Sequence, residues 1–221
     1  MVVVQFGEKY YIMSYKRSSL MQERMEQNRQ AILQSARELI AQGGIKDAQI
    51  QAIAERAGVS SGLVYRYFDN KSQVLIEVLS EAIQHEVKIL NHIAESDELT
   101  SKQKLDKAVT TFVKRAMNSP QLAYSLMFEP VDAELEHERF RSKQLIKQSM
   151  KEILAAGKIN GEFGFEDLNT AALCVVGAMT FVVIEPLNPS RGVMFEQNHK
   201  DYFVKQIAEF CVNAVQVQEE K

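Results

Sequence analysis

Apolar residues recur along this chain with the period of an α-helix, and no stretch alternates convincingly like a strand. From about Leu20 to Gln42 the stripe is Ile32, Ala36, Leu39 and Ile40, with Arg29, Arg37 and Glu38 off it. Gly43-Gly44 stands where such a helix should end. Ile50, Ile53, Ala54 and Ala57 then fall at i, i+3, i+4 and i+7, the pattern of one short amphipathic helix. Gly58 supplies a turn, and Ser60 or Ser61 offers a side-chain oxygen to the free N–H groups of a second helix, Ser61–Tyr67. In that helix Leu63 and Val64, with Phe68 just beyond it, are apolar anchors, while Ser61, Gly62, Tyr65, Arg66 and Tyr67 are small, polar or aromatic. Two short helices around a glycine-containing turn have the spacing of a helix-turn-helix.

Asp69-Asn70 is expected to cap a long helix that opens at Lys71. Its stripe of Leu75, Leu79, Ala82, Ile83, Val87 and Leu90 runs to about Ala94. A helix of about 24 residues spans roughly 36 Å, enough to couple a head to a body. Ser101 to Asn118 keeps Leu105, Ala108, Val109, Phe112 and Ala116 in phase, and a shorter helix follows from Pro120. Asp132 is expected to open a long helix with Glu134 and Glu136 in its first turn, a stripe of Phe140, Ile146, Met150, Ile153 and Leu154, and Gly157 as its stop. Asp167–Ile184 is almost wholly apolar and should be buried on several sides. The loop EPLNPSRG leads to a last helix, Gln197–Val217, with Phe203, Ile207, Phe210, Cys211 and Ala214 on one face. The fold class is therefore all-α with about nine helices. The expected division is 1–19 as a flexible N-terminal arm with no helical period, 20–71 as a helix-turn-helix DNA-binding domain, and 72–221 as a ligand-binding and dimerisation domain. Met13, followed by the basic and polar SYKRSS, is an alternative start.

Charge sharpens this division. Residues 1–71 carry ten Lys and Arg against seven Asp and Glu, net +3, and the remainder carries sixteen against twenty-two, net −6. A basic head on an acidic body suits a small nucleic-acid reader. Cys174 and Cys211 lie in apolar periodic segments without metal-ligand spacing, and read as buried reduced thiols in a cytoplasmic protein. No secretory signal is legible, and the run Ala171–Ile184 is shorter than the ~20 residues of a membrane span, so no membrane partner is expected.

The residues AILQSARELIAQGG followed by IQAIAERAGVSSGLVYRYFDNKSQVL resemble the N-terminal third of the TetR/AcrR family of bacterial transcriptional regulators, over about residues 29–80. The segment LAYSLMFEPVDAELEHERFR is similar to stretches in one branch of that family. Gln49 departs from the threonine usual at the head of the second helix; it can replace a phosphate contact but is a poor cap, which leaves Asp47 as the candidate cap. The resemblance implies that Ser61–Tyr67 enters the major groove of a double-stranded DNA operator. Gln49, Gln51, Ser60, Ser61, Gly62, Leu63, Tyr65, Arg66, Tyr67 and Lys71 become the candidate DNA-binding residues. Arg66 is the candidate base reader, and Tyr67 and Lys71 the candidate phosphate anchors. Packing stays open for Leu63, Tyr65 and Tyr67.

The resemblance also implies a homodimer through the last two helices and a small-molecule effector in the body. Phe112, Met117, Tyr124, Met127, Phe128, Met150 and Met179 are the candidate ligand-binding residues, a methionine- and aromatic-rich set suited to a pliable apolar pocket, although a scattered set of this kind is more often ordinary core. Arg115, His92 and Glu185 are candidates to orient a polar group. No cofactor or metal is implied: His85, His92, His137 and His199 are scattered, and no HExxH, nucleophile elbow, phosphate loop or CxxC is present. The expected function is a ligand-responsive repressor, not an enzyme. The alternative is an all-α dimeric ligand-binding or interaction protein of the same fold without operator binding.

Overall fold

The computed structural model describes residues 8–187 and 197–217. Among these the chain is helical throughout: α1 Glu8–Gly43, α2 Ile50–Ala57, α3 Ser61–Tyr67, α4 Lys71–Ala94, α5 Ser101–Asn118, α6 Pro120–Met127, α7 Ala133–Ile159 and α8 Leu168–Phe181. A short 3₁₀ helix, Val182–Leu187, follows α8, and α9 is Gln197–Val215. The single β-bridge in this part joins Phe163 to Gln216.

Most helix ends carry the chemistry expected of them. Ser60, Asn70, Thr100, Asp132 and Asp167 each accept from the backbone N–H three residues on, so five N-termini are capped by short polar side chains. Gly58 closes α2 with φ 68, in the left-handed region that favours glycine. Gln49 precedes α2 but makes no cap, its amide donating instead to Lys46 O at 2.8 Å. Asp47 does not cap α2 either: its carboxylate folds back over Gly43.

Two buried clusters form the core of the described residues. One joins Ile32, Leu33, Ala36 and Ile40 of α1 to Ile53 and Ala54 of α2, Val64 of α3, Phe68, and Val74, Leu75, Val78 and Leu79 of α4. It also takes in Leu126 and Leu135 from the α6–α7 corner. The other is built on α5, α7, α8 and α9 with Leu90 and Ile93 of α4. The long helix α4 thus contributes its first turns to the head core and its last to the body core.

Five expectations are corrected. The helix α1 reaches back to Glu8, where a loose arm through Ser19 was expected, because no glycine or proline interrupts Glu8–Gln42; residues 1–7 lie outside the described residues. Gly157 does not stop α7, which ends at Ile159; it is a buried seat under the Phe163 ring, and the turn falls at Gly161, φ 74. Phe140, Phe210 and Ala214 are exposed instead of packed, Phe140 at 61% and Phe210 at 64%. Cys174 is exposed as well, and only Cys211 is buried. Finally, the 3₁₀ helix follows α8 without a break, so the apolar helical run is Leu168–Leu187, 20 residues with the length and composition of a membrane-crossing helix, and only 28% buried within the chain. Leu173 and Phe181 on α8, and Tyr202 and Phe210 on α9, stand more than half exposed. The part of EPLNPSRG beyond Leu187 lies outside the described residues.

Candidate nucleic-acid interface and effector cavity

The second helix of the helix-turn-helix, α3, is held from below. Val64 and Phe68 are buried in the head core, and the Arg29 guanidinium lies 5.8 Å above the Phe68 ring while also pairing with Glu77 of α4. Anchored on that side, α3 leaves Gly62, Tyr65 and Arg66 exposed, Tyr65 at 55%. Gln49, Gln51 and Ser60 are exposed too, and Ser61, Leu63, Tyr67 and Lys71 are half-buried. No Cβ contact under 3.9 Å would arise at Gly62, so the backbone there is open to close approach.

Arg66 makes no ion pair among the described residues, whereas Arg56 is tied to Glu38 and Gln42. Tyr67 leans toward Phe68, ring centroids 6.4 Å apart. The Lys71 ammonium donates to Ile45 O at 2.8 Å. Desolvation lowers the pKa of Lys71, against the opposing pull of Glu129. This lysine therefore holds the start of α4 to the turn after α1, and its ammonium keeps two further donors. Lys46, exposed in that turn, is a cation that the motif alone did not single out.

The same turn is gripped from the body. Glu129, just past α6, accepts from Ile45 N–H at 2.9 Å. Its carboxylate lies so near Gly44, φ 85, that a Cβ there would stand 2.8 Å from Oε2. Asp132, while capping α7, also accepts from the Ser72 hydroxyl of α4. Arg37 of α1 pairs with Glu81 of α4 at 3.0 Å.

Behind this joint lies a cavity of about 330 Å³ among α4 to α8. Phe112, Met127, Phe128, Ile146 and Val176 give it an apolar wall, with Leu173 and Phe181 toward the surface. Phe128 meets Phe181 edge-on, centroids 6.2 Å apart. Its charged groups come from α7, namely Arg139, Lys143 and Lys147, beside Ser142 and Gln144 of the same helix and Thr180 of α8, with no acidic residue among the described lining. Arg139 is 3% exposed and spans to the end of α6, donating to Ser125 O at 2.6 Å and Leu126 O at 2.8 Å, with Glu136 as its ionic partner. A guanidinium on the last carbonyls of a helix is favourably placed against its dipole. The buried Ser142 hydroxyl has no hydrogen-bond partner among the described residues.

Of the seven pocket candidates, Phe112, Met127 and Phe128 line this cavity. Met117, Met150 and Met179 are fully buried in the body core, and Tyr124 packs against Phe128; none of these four lines it. Arg115 pairs with Glu86, His92 is exposed, and Glu185 lies half-buried in the 3₁₀ helix. The α7 cations went unread, although Arg139, Ser142, Lys143, Ile146 and Lys147 sit at i, i+3, i+4, i+7 and i+8, one helical face.

Residues 32–78 match the family described as bacterial regulatory proteins, tetR family. The chain is 28% identical over 123 residues to the fatty acid metabolism regulator protein of Bacillus subtilis (strain 168), covering 56% of this chain and 58% of that protein. It is 27% identical over 178 residues to the transcriptional repressor KstR2 of Rhodococcus jostii (strain RHA1), covering 79% and 86%. The fold matches the transcriptional regulator FadR from Bacillus subtilis, solved with stearoyl-CoA, at a TM-score of 0.71 and 22% identity over 85% of this chain and 99% of that one. These relatives are transcriptional regulators. The motif and the family match give residues 32–78 the DNA-binding head of the TetR family, and over most of its length the chain is similar to transcriptional regulators of the same all-helical fold.

Proposed function

We propose that this chain is a cytoplasmic repressor that binds a palindromic operator as a homodimer and is released by a long-chain acyl effector with an anionic head, of the acyl-CoA class. The observation that carries the effector class is the asymmetry of the cavity among α4 to α8: an apolar wall with Lys143 and Lys147, and no carboxylate among its described lining residues. An acyl chain suits the wall and an anionic head the cations. The names of the fatty acid metabolism regulator and of the stearoyl-CoA complex support the same class.

On the DNA side, Arg66, Tyr65 and Gly62 are exposed where the family places its groove-reading helix, and we assign Arg66 to base edges. Tyr67, Lys71, Gln49 and Gln51 serve as phosphate contacts, with Ser60, Ser61 and Leu63 at the helix N-terminus beside the bases. Two-fold pairing through α8 and α9 would match two half-sites, and the exposed Leu173, Phe181, Tyr202 and Phe210 supply an apolar face for it. The coupling route is short. Leu126, Met127 and Phe128 line the cavity, and the next residue, Glu129, holds the turn between α1 and α2. An acyl chain that displaces Phe128 therefore pulls on the head, and releases DNA if it binds the displaced arrangement more tightly.

The test is fluorescence anisotropy with DNA from the adjacent promoter. Tyr67→Ala and Lys71→Ala should each weaken binding for all sequences, Lys71→Ala also lowering the salt slope by about one, while Arg66→Ala relaxes base preference. Stearoyl-CoA should release the wild type, and the double variant Lys143→Glu/Lys147→Glu should need about tenfold more for the loss of charge-assisted contacts. Unchanged affinity and salt slope in both phosphate variants would overturn the docking. Release unaffected by the double variant would overturn the effector assignment.

A further inference from the structure

The wall of the acyl cavity has a second side. Leu79, Ile83, Phe112, Leu126 and Met127 line both that cavity and a chamber of about 680 Å³ bounded by α4, α5 and α6, with Arg37 of α1 at its edge. The floor is apolar, and Leu122 belongs to this chamber only. Its charges are matched: Arg37 pairs with Glu81 at 3.0 Å, and Arg115 donates through Nε to Glu86 Oε1 at 2.7 Å. One group is left over. Among the described residues, the buried Glu86 Oε2 has no hydrogen-bond partner. A buried carboxylate oxygen without a donor is costly, and a native structure that keeps one commonly completes it with a water, an ion or a ligand.

We infer that this chamber is a second small-molecule site, distinct from the acyl cavity, for an uncharged apolar molecule that presents a hydroxyl donor to Glu86. Because both arginines in the chamber are already paired, an anionic head gains little from them, whereas an O–H completes the orphaned oxygen at no cost in net charge. The two sides of the shared wall thus select different chemistry, cationic on α7 and acceptor on α4. The Arg37–Glu81 pair spans α1 and α4, so an occupant also sits at the head–body joint.

The assignment of two chambers rests in part on the acyl reading above, and titration calorimetry of the full chain with decan-1-ol and, separately, with stearoyl-CoA distinguishes the failure of either. Decan-1-ol is expected to bind saturably. Glu86→Gln should weaken it about tenfold, the loss of one charge-assisted hydrogen bond, and Leu122→Trp should abolish it by filling the chamber. Both variants should keep stearoyl-CoA affinity within about twofold, which also reports that they are folded. Lys143→Glu/Lys147→Glu should do the reverse, sparing decan-1-ol. No saturable decan-1-ol binding, or binding that Glu86→Gln leaves unchanged, or binding lost in the double lysine variant, overturns the second site. Loss of stearoyl-CoA binding by the wild type, with decan-1-ol intact, overturns the acyl reading alone. Should Leu122→Trp fail to fold, Glu86→Gln decides the question.

Discussion

Gly157 lies near the end of α7, with the buried Phe163 ring laid across it so closely that a Cβ would stand 2.0 Å from the ring carbon Cδ2. Alanine is the better helix former by about 1 kcal/mol. Here the ring is 3% exposed and enclosed by the body core, so it cannot swing clear. Gly157→Ala is therefore expected to lose about 1–3 kcal/mol to overpacking, net of any gain in propensity. Urea denaturation checks this, and a gain in stability would refute the seat. The same residue marks a limit of reading a sequence. A glycine late in a helix has the local signature of a stop, and nothing nearby in the chain announces a ring returning six residues later. Arg139 teaches the converse: a lone arginine on an amphipathic helix has no signature of burial, because its partners, Ser125 O and Leu126 O, are backbone atoms of another helix.

Among the elements, α5 has the most completely satisfied start. Thr100 accepts from Gln103 N–H, the Gln103 side chain accepts from Thr100 N–H, and Glu162 accepts from Ser101 and Lys102 N–H at 2.9 and 3.0 Å. All four amides that a helix start leaves open are paired. Desolvation of Glu162 would raise its pKa, but the backbone bonds from Lys102 and Ser101, the Ser101 hydroxyl and the Lys102 charge together hold it below the usual carboxylate range. A lowered folded-state pKa gives stability that is present above the ordinary value of about 4.3 and disappears as pH falls through the lowered value. The difference in melting temperature between wild type and Glu162→Gln should then be largest near neutral pH and shrink below about pH 4. A difference that stays constant with pH would contradict the assignment. Element identity was largely legible: α2, the turn at Gly58, α3 and the span of α4 follow from apolar spacing and caps. The start of α1 was not, since residues 8–19 lack an apolar stripe and are helical all the same. The exposed side of α8 was not either, because uniform apolarity does not say which face meets its own chain.

At the scale of the molecule, the head core reaches the α6–α7 corner through Leu126 and Leu135, and the same corner reaches back through Glu129 to Ile45 and through Asp132 to Ser72. Head and body are thus joined by packing and by hydrogen bonds, not by α4 alone. This arrangement was invisible in the sequence, whose charge balance suggested two parts and said nothing of their joint. The other large-scale feature is the apolar outer face of α8 and α9. If it is the dimer face, the melting temperature should rise with protein concentration, and Phe210→Asp should sediment as a monomer with weakened operator binding. A dimeric Phe210→Asp whose melting is independent of concentration would place the interface elsewhere.

That outer face also bears on how the gene behaves. If the proposed homodimer forms through that strip, a chain becomes competent only by meeting its copy, and at low abundance the number of working dimers follows the square of the number of chains. Halving the output of the gene would then remove about three-quarters of the dimers. Control over the promoter by such a dimer would weaken abruptly as chains are diluted by cell division, even with no effector present.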